Sequence, residues 1–274
     1  MPFNFSQQQA QHIARQQNQS NQRLIEKTTA SILLLMQEMT AEITKRIELG
    51  QYPVPISGQH VCEKQLLAIQ ETPGRASALL GYNFASELMT SLERPIPSLI
   101  ADSMSAGFLY ASIDAYFEEA TKRQANTFIR KVESTYKKST EKLDEEGTTL
   151  TSEALANAVQ LDMKKFNETY ASMAALAGMV WASREGAVKA YLKAGVVRWV
   201  WVSRRDDKVC PFCNELDGTV VSTSSYFVQA NTKFPAQKLN AKGEEVTVYL
   251  QTPAWNIMHP PLHANCRCVI LPYE

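Results

Sequence analysis

The sequence lacks any apolar run long enough to cross a membrane and any excess of one charge sign. Its longest apolar runs are 32–36 and 173–182, well short of the roughly 20 residues that a membrane-spanning helix needs. Its 28 basic and 28 acidic residues give a formal net charge of zero, which does not favour a nucleic-acid-binding protein. The first residues show no charged leader before an apolar stretch, so we expect no secretory signal and a protein that folds in a reducing cytosol.

Cysteine is scarce, and several motifs of common enzyme classes are missing. There is no glycine-rich phosphate loop and no Gly-x-Ser-x-Gly elbow. Only five cysteines occur in 274 residues, and Cys62 lies far from the other four. An odd, clustered set argues against a disulfide framework and favours a metal site with one bystander. We interpret Cys62 as a small buried core residue.

The N-terminal segment is dominated by amide side chains. Eight Gln and three Asn fall between positions 4 and 22, so we expect a flexible polar arm, or else an arm that orders only against a partner. Apolar residues at helical spacing predict a helix over 23–49, and the prolines within 52–58 predict a linker. We group residues 1–57 as arm, helix and Pro-rich linker.

A helical domain is predicted over 58–194. It begins with two shorter helices, at about 62–71 and 76–93, because Pro73-Gly74 is expected to separate them. A further break is expected at 94–97, where two prolines occur.

Two longer helices follow in the same predicted domain. One apolar stripe predicts a helix over 98–146, and a second predicts another helix that begins after Thr151. Thr151 can cap this helix, and Glu153 lies in its first turn, where the positive end of the helix dipole favours a carboxylate. Joined by a short turn, the two helices should pack as a long antiparallel helical hairpin.

The periodicity changes near Gly195, and residues 195–274 are predicted to form a small α+β domain. The fold class is therefore α+β, with a mainly α-helical N-terminal two thirds and a metal-stapled C-terminal domain. A metal staple would help because this domain has little apolar sequence. Strands are expected at 196–202, 219–222, 246–250 and 268–271, with a turn at 240–244.

The last part of the chain contains a metal-binding pattern. Cys210 and Cys213 form a Cys-x-x-Cys pair, and His263, Cys266 and Cys268 follow about 50 residues later. Zinc needs about four thiolate or imidazole ligands in a tetrahedron, so five candidates compete for four places. We favour Cys210, Cys213 and Cys266, with the fourth ligand from His263 or Cys268. The alternatives are a cluster of reduced buried thiols without a metal and, less favoured, redox chemistry.

Catalytic chemistry at this site has weaker support. The acids Asp206, Asp207 and Glu215 lie close in sequence to the first cysteine pair and could act as general bases beside a catalytic zinc. However, three or four thiolates make an electron-rich ion that suits structure better than activation of water. His259 precedes two prolines and is interpreted as a loop residue, with a lesser chance of ligation.

A longer motif follows in the same order. Trp199 is followed by Asp207-x-x-Cys210-x-x-Cys213, by Leu216-x-Gly218, and finally by the His263-x-x-Cys266-x-Cys268 motif. This pattern over about 182–272 resembles the phage Mu protein F-like family of minor head, or head morphogenesis, proteins. Ala264 replaces the proline that usually follows the histidine, which removes no candidate ligand.

The resemblance implies a structural, non-catalytic virion protein. It implies a role in capsid assembly and in DNA packaging or delivery at the portal vertex, after assembly in the host cytoplasm. The implied partners are the portal protein, the major capsid protein or both, possibly with packaged DNA, within a homo- or hetero-oligomeric assembly and away from membranes. The implied cofactor is structural zinc.

Two other functions are weighed against this one. The C-terminal domain could be a nuclease or toxin-like enzyme module that uses His263 or Asp207, since related domains are found fused to toxin modules. Alternatively, the modestly basic stretch 122–142 could bind DNA without sequence preference, which would make binding fall steeply with salt.

Overall fold

The computed structural model describes residues 5–51, 57–96, 103–146, 151–206 and 208–273. Four long helices precede a smaller part made of short strands and one short helix, so the predicted α+β class is confirmed. The helices are α1 (Gln7–Glu48), α2 (Ser57–Ser91), α3 (Ser103–Glu145), α4 (Ser152–Lys193) and α5 (Pro211–Leu216). The strands are β1 (Arg198–Val202), β2 (Val220–Ser222), β3 (Lys233–Leu239), β4 (Glu245–Gln251) and β5 (Val269–Pro272). Among the described helices, none combines the length and apolar character needed to span a membrane.

Contacts divide the chain into two compact units, and each unit draws on all four long helices. The first contains Met1–Gln22, Arg75–Ala111 and Met179–Glu274, and the second contains Arg23–Gly74 and Ser112–Gly178. The domain boundaries predicted after residues 57 and 194 stay a prediction.

Helix α1 begins far earlier than the sequence predicted, so the expectation of a flexible arm is wrong. The N–H of Gln9 donates to Ser6 Oγ at 3.3 Å, and the N–H of Ser6 donates to Gln9 Oε1 at 2.8 Å. This reciprocal capping box starts the helix. The buried side of its first turns carries one isoleucine among alanine and amide residues, which together give little hydrophobic signal. These residues are Ala10, Ile13, Ala14, Gln17 and Asn21.

Helix α2 runs through Pro73, where the sequence predicted a break between two helices. A β-carbon on Gly74 would lie 2.0 Å from the ring of Phe117. Gly74 therefore makes room for an aromatic ring and does not end the helix. The segment 52–56 of the predicted linker and the segment 97–102 near the predicted second break lie outside the described residues.

Helices α3 and α4 form the predicted antiparallel hairpin. A β-carbon on Gly178 would lie 2.8 Å from Phe117, and the ammonium group of Lys131 lies 5.8 Å from the ring centre of Phe166. Lys131, which follows Phe117 on α3, thus contacts Phe166, which precedes Gly178 on α4, so the two helices run in opposite directions. Thr151 caps α4 as expected, because its Oγ1 accepts the N–H of Ala154 at 3.1 Å.

The three-stranded sheet has the order β2-β1-β5 and is antiparallel throughout. Trp201 on β1 belongs to an apolar cluster that also includes the four C-terminal cysteines. Val202 on β1 and Leu271 on β5 pack instead with Ala10 and Ile13 of α1. One face of this sheet therefore supports the cysteine cluster, while its other face is covered by helix.

Among the described residues, the remaining strands β3 and β4 pair only with each other. Strand β4 and the turn before it were predicted, but β3 was missed because Pro235 and three charged or amide residues obscure its alternation. The strands expected near 196–202, 219–222 and 268–271 are present as β1, β2 and β5.

Candidate metal centre

The first cysteine pair lies at the start of helix α5. Cys210 is the N-cap residue, and its Sγ accepts the N–H of Cys213 at 3.3 Å. Pro211 occupies the first turn, where its missing N–H costs nothing. The pair thus forms a capped helical turn that places both sulfurs in one group of candidate ligands.

The second group comes from the loop that precedes β5. The N–H of Cys266 donates to the carbonyl of His263 at 3.1 Å, and Asn265 adopts φ 63° inside this turn. The turn folds the chain back, so that His263 and Cys266 approach the first cysteine pair. Cys268 is buried directly before β5.

The structure brings the predicted ligands together. His263 Nε2 lies 2.9 Å from the Sγ of Cys210 and 3.1 Å from the Sγ of Cys213. The sulfurs of Cys213 and Cys266 lie 3.8 Å apart. Two sets have all ligand atoms within 4.8 Å of one another, and they share Cys213. They are Cys210, Cys213 and His263, and Cys213, Cys266 and Cys268.

The sulfur–sulfur distance matches a tetrahedral zinc site, whereas the two nitrogen–sulfur distances of 2.9 and 3.1 Å are shorter than the roughly 3.5 Å between such ligands on a tetrahedral ion. With Zn–S bonds near 2.3 Å, two sulfurs on a tetrahedron lie about 3.8 Å apart, as Cys213 and Cys266 do. The imidazole is also oriented for ligation. Its Nδ1–H donates to the carbonyl of Ala264 at 2.5 Å, which leaves Nε2 free to bind a metal.

Without an ion, the cluster shares its protons unevenly. A hydrogen bond from Cys213 lowers the pKa of Cys210 to about 4, and the same bond raises the pKa of Cys213. Burial acts to raise the pKa of Cys266, but hydrogen bonds from Cys213 and Cys268 hold that pKa well below its usual value. Burial lowers the pKa of His263, yet its contact with Cys210 and the charge of Cys266 raise it to about 9. A soft cation would replace these shared protons.

The buried indole of Trp201 lies beside the thiol of Cys268. Its N–H has no hydrogen-bond partner of normal geometry among the described residues. A hydrogen bond from Cys213 and, to a smaller extent, the indole N–H act to lower the pKa of Cys268, but the hydrogen bond with Cys266 and burial raise that pKa overall. A buried indole N–H needs an acceptor, and the sulfur of Cys268 can supply one.

Arg184 on α4 places a buried positive charge beside the cluster. Its side chain is 1% exposed, its Nε donates to the carbonyl of Cys268 at 3.1 Å, and its Nη2 donates to Asn18 Oδ1 at 2.5 Å. Burial lowers the pKa of Arg184 to about 10, against the opposing influence of Cys266. Asn18 in turn donates to the carbonyl of Arg267 at 2.9 Å. Helices α1 and α4 therefore hold the backbone of the second ligand group.

A buried pair formed by His259 and Glu185 anchors the same loop at its start. His259 Nε2 lies 3.2 Å from Glu185 Oε2, and His259 Nδ1 lies 2.7 Å from the carbonyl of Pro260. The ring also packs against Trp181, with centres 5.7 Å apart. His259 thus holds the loop onto α4, and it is not among the residues that could share a metal ion.

The nearby acids have structural partners. Arg267 forms two hydrogen bonds with the carboxylate of Asp206, both at 3.1 Å, and Glu215 accepts the N–H of Gln237 at 3.3 Å. Asp217 accepts the N–H of Ser203. Asp207, the other acid considered for catalysis, lies outside the described residues.

Cys62 belongs to a different cluster, as interpreted. It is 2% exposed and belongs to the apolar core of the second unit, with residues of α1, α3 and α4. Burial raises the pKa of its thiol to about 12. Sequence spacing identified every residue of the cluster, but it missed Arg184, Asn18 and Trp201. A charged residue within the apolar later half of α4 was the one signal for Arg184.

The fold and site define a largely helical protein with a thiolate- and imidazole-rich centre in a small C-terminal α+β region. The family model described as phage Mu protein F like protein matches residues 99–271. The chain therefore belongs to the phage Mu protein F-like family, which points to a phage head morphogenesis protein. Neither a search of curated proteins nor one of solved structures gave a match.

Proposed function

We propose that this protein is a non-catalytic structural component of the phage head that acts in capsid assembly and in DNA packaging or delivery at the portal vertex. We further propose that its C-terminal region is stapled by one zinc ion. The observation that carries the staple is the approach of His263 Nε2 to within 3.1 Å of two sulfurs from a segment about 50 residues away.

The proposed ligands are Cys210, Cys213, His263 and Cys266, with Cys268 as a neighbouring thiol. His263 is included because its imidazole lies between the sulfurs of the first pair, in the tautomer that ligation requires. A set of three thiolates and one neutral imidazole gives Zn²⁺ a net charge of −1, which the buried Arg184 can balance. Four protein ligands would leave no open position for water, as in structural zinc sites.

Elemental analysis of the purified chain and its variants tests the ligand set. We expect one zinc per chain in the wild-type protein and in Cys268→Ser, and substoichiometric zinc in His263→Ala and Cys213→Ser. Retention of zinc by His263→Ala together with loss by Cys268→Ser would instead assign the fourth position to Cys268. A metal-free wild-type protein purified without chelators would contradict the staple.

Partner capture tests the role in the head. We expect the tagged full-length chain to bind purified portal protein, the major capsid protein or both, and to show no hydrolysis of DNA. The support for a non-catalytic role is that Asp206 and Glu215 are engaged in structural bonds. DNA cleavage that is lost in Cys213→Ser would contradict a purely structural role.

A further inference from the structure

In each strand of the β3–β4 hairpin, alternate residues direct their backbone N–H and C=O groups away from the other strand. Along two antiparallel strands, facing residues that exchange two backbone hydrogen bonds alternate with facing residues that exchange none. Thr252 donates to the carbonyl of Thr232, and Asn240 donates to that of Glu244, both at 2.9 Å. Both pairs continue the register of β3 and β4. Even-numbered pairs therefore exchange the bonds, and the odd-numbered residues point their N–H and C=O groups away from the hairpin.

The outer edge of β3 is protected. Pro235 has no N–H to offer, and the outward N–H of Gln237 donates to Glu215 Oε1 at 3.3 Å. Proline and an engaged backbone donor are common means of preventing a strand from pairing with another chain. A new strand would thus find little to pair with on this side.

The outer edge of β4 is open. Its outward residues are Glu245, Thr247, Tyr249 and Gln251, and all four are exposed, Tyr249 to 63%. Within the described part of the chain, the outward N–H groups of Thr247 and Tyr249 meet no acceptor. The strand is seven residues long, rich in β-branched and aromatic side chains, and free of proline. Such an edge readily accepts another strand.

We propose that β4 pairs with β4 of a second copy of this chain, antiparallel about a twofold axis at Val248. This arrangement is the antiparallel register that overlaps all seven residues of both strands. It places Thr247 opposite Tyr249 of the partner subunit, and each such pair exchanges two backbone hydrogen bonds. The inference goes beyond the role in the phage head, because it rests on the hairpin alone.

The side chains of β4 suit this partner. The register places the carboxylate of Glu245 beside the amide of Gln251 of the partner subunit, which can donate a hydrogen bond to it. A parallel, in-register pairing would instead bring the two Glu245 carboxylates together, which is unfavourable. On the inner face, the half-buried Val246, Val248 and Leu250 would continue across the axis as one apolar row.

Light scattering of the full-length chain over a concentration series tests the pairing. We expect a reversible dimer of the 30.7 kDa chain with a Kd on the order of 10 µM, since a single strand pair buries less surface than a stable interface needs. A mass that stays monomeric across the series would overturn the proposal. It would be overturned in the same way if β4 paired only with a strand of another protein.

Tyr249→Pro removes the outward N–H without breaking the β3–β4 ladder. The chain already carries a proline at the facing position, Pro235, so the variant should fold, as circular dichroism can verify. By symmetry it removes two intersubunit hydrogen bonds, and we expect roughly 30-fold weaker dimerisation. Tyr249→Thr keeps the N–H and should dimerise within about threefold of the wild type. Equal dimerisation by the Pro and Thr variants would exclude this edge.

A charge exchange tests the register. Gln251→Glu places two carboxylates opposite each other at both ends of the paired strands, so we expect about fivefold weaker dimerisation. Adding Glu245→Lys to Gln251→Glu replaces each repulsion by an ion pair and should restore the dimer. If Gln251→Glu has no effect, or the double variant is weaker than the single one, the proposed register is wrong.

Discussion

Arg184 is a guanidinium buried beside thiols, and no carboxylate among the described residues forms an ion pair with it. An unpaired buried charge costs several kcal/mol unless another charge or a set of hydrogen bonds offsets it. Its bonds to the carbonyl of Cys268 and to Asn18 offset part of this cost. The proposed zinc–thiolate centre, with its negative charge, would offset the rest, and Arg184 would then help to position the metal ligands.

Substitution of Arg184 should therefore weaken zinc binding. We expect Arg184→Met to lower zinc affinity by about 10–100-fold, the range typical for residues that orient metal ligands. Arg184→Lys keeps the charge and should lie between Met and the wild type. Competition with a chromophoric chelator measures the affinities, and equal affinities for all three proteins would show that Arg184 serves packing alone.

The Glu185–His259 pair should contribute to stability in a defined pH range. Burial acts to raise the pKa of Glu185, but the hydrogen bond and charge of His259 lower it to about 2, below the usual 4.5. A lowered folded-state pKa stabilises the protein above the unfolded-state pKa, and this contribution is lost as the pH falls from about 4.5 to about 2. We expect Glu185→Gln to cost about 2 kcal/mol at pH 7.

Urea unfolding of the wild type and Glu185→Gln at several pH values measures this contribution. The difference between the two proteins should shrink as the pH falls from about 4.5 to about 2. A difference that grows as the pH falls would contradict the assigned ion pair. Glu133→Gln, an exposed residue on α3, is a suitable control that should change stability little.

The cysteine and histidine cluster could be predicted from the sequence because each of its residues belongs to a short local motif. Arg184 and Trp201 could not be predicted, since they reach the site only after α4 and β1 pack beside it. The indole N–H of Trp201 and the guanidinium of Arg184 become informative only when their buried surroundings are known.

Helices α2 and α4 approach each other unusually closely in the first unit. A β-carbon on Gly81 would lie 1.8 Å from the carbonyl oxygen of Ser183, and one on Gly186 would lie 1.9 Å from that of Ala78. Both neighbours are backbone atoms, which cannot rotate aside as a side chain can. The contact therefore requires glycine on each helix, and it fixes the part of α4 that carries Arg184 and Glu185.

Alanine at Gly186 should be strongly destabilising. We expect Gly186→Ala to cost about 3 kcal/mol, because the helices must separate to admit the methyl group. Gly107→Ala is a matched control within a helix, since no atom lies within 4 Å of the place that its methyl group would take, and it should stabilise by about 0.5–1 kcal/mol. Thermal unfolding compares the two, and similar effects would contradict the close approach.

The elements were predictable where apolar residues repeat and not where polar residues are buried. The α3–α4 hairpin follows from its two apolar stripes. The start of α1 was missed because Gln17 and Asn21 occupy buried positions, and Asn21 finds its partner, the carbonyl of Met179, on a distant helix. Local sequence could not reveal that bond.

Within the whole molecule, the proposed zinc site and the helical core should respond separately to chelation. The core of the second unit is formed by residues of the four long helices alone, whereas Trp201 packs with the cysteines. We expect a strong chelator to alter tryptophan fluorescence and near-ultraviolet dichroism while most of the helical signal remains. Added zinc should restore both, and a chelator that leaves them unchanged would argue against a bound structural ion.

X-ray absorption at the zinc edge on the purified full-length chain tests the proposed zinc staple directly. We expect a four-coordinate ion with three sulfur ligands near 2.3 Å and one nitrogen near 2.0 Å, and no bound water. A centre with an exchangeable water and fewer sulfurs, or a folded protein that holds no metal, would contradict the claim that thiolates from both segments bind one structural ion.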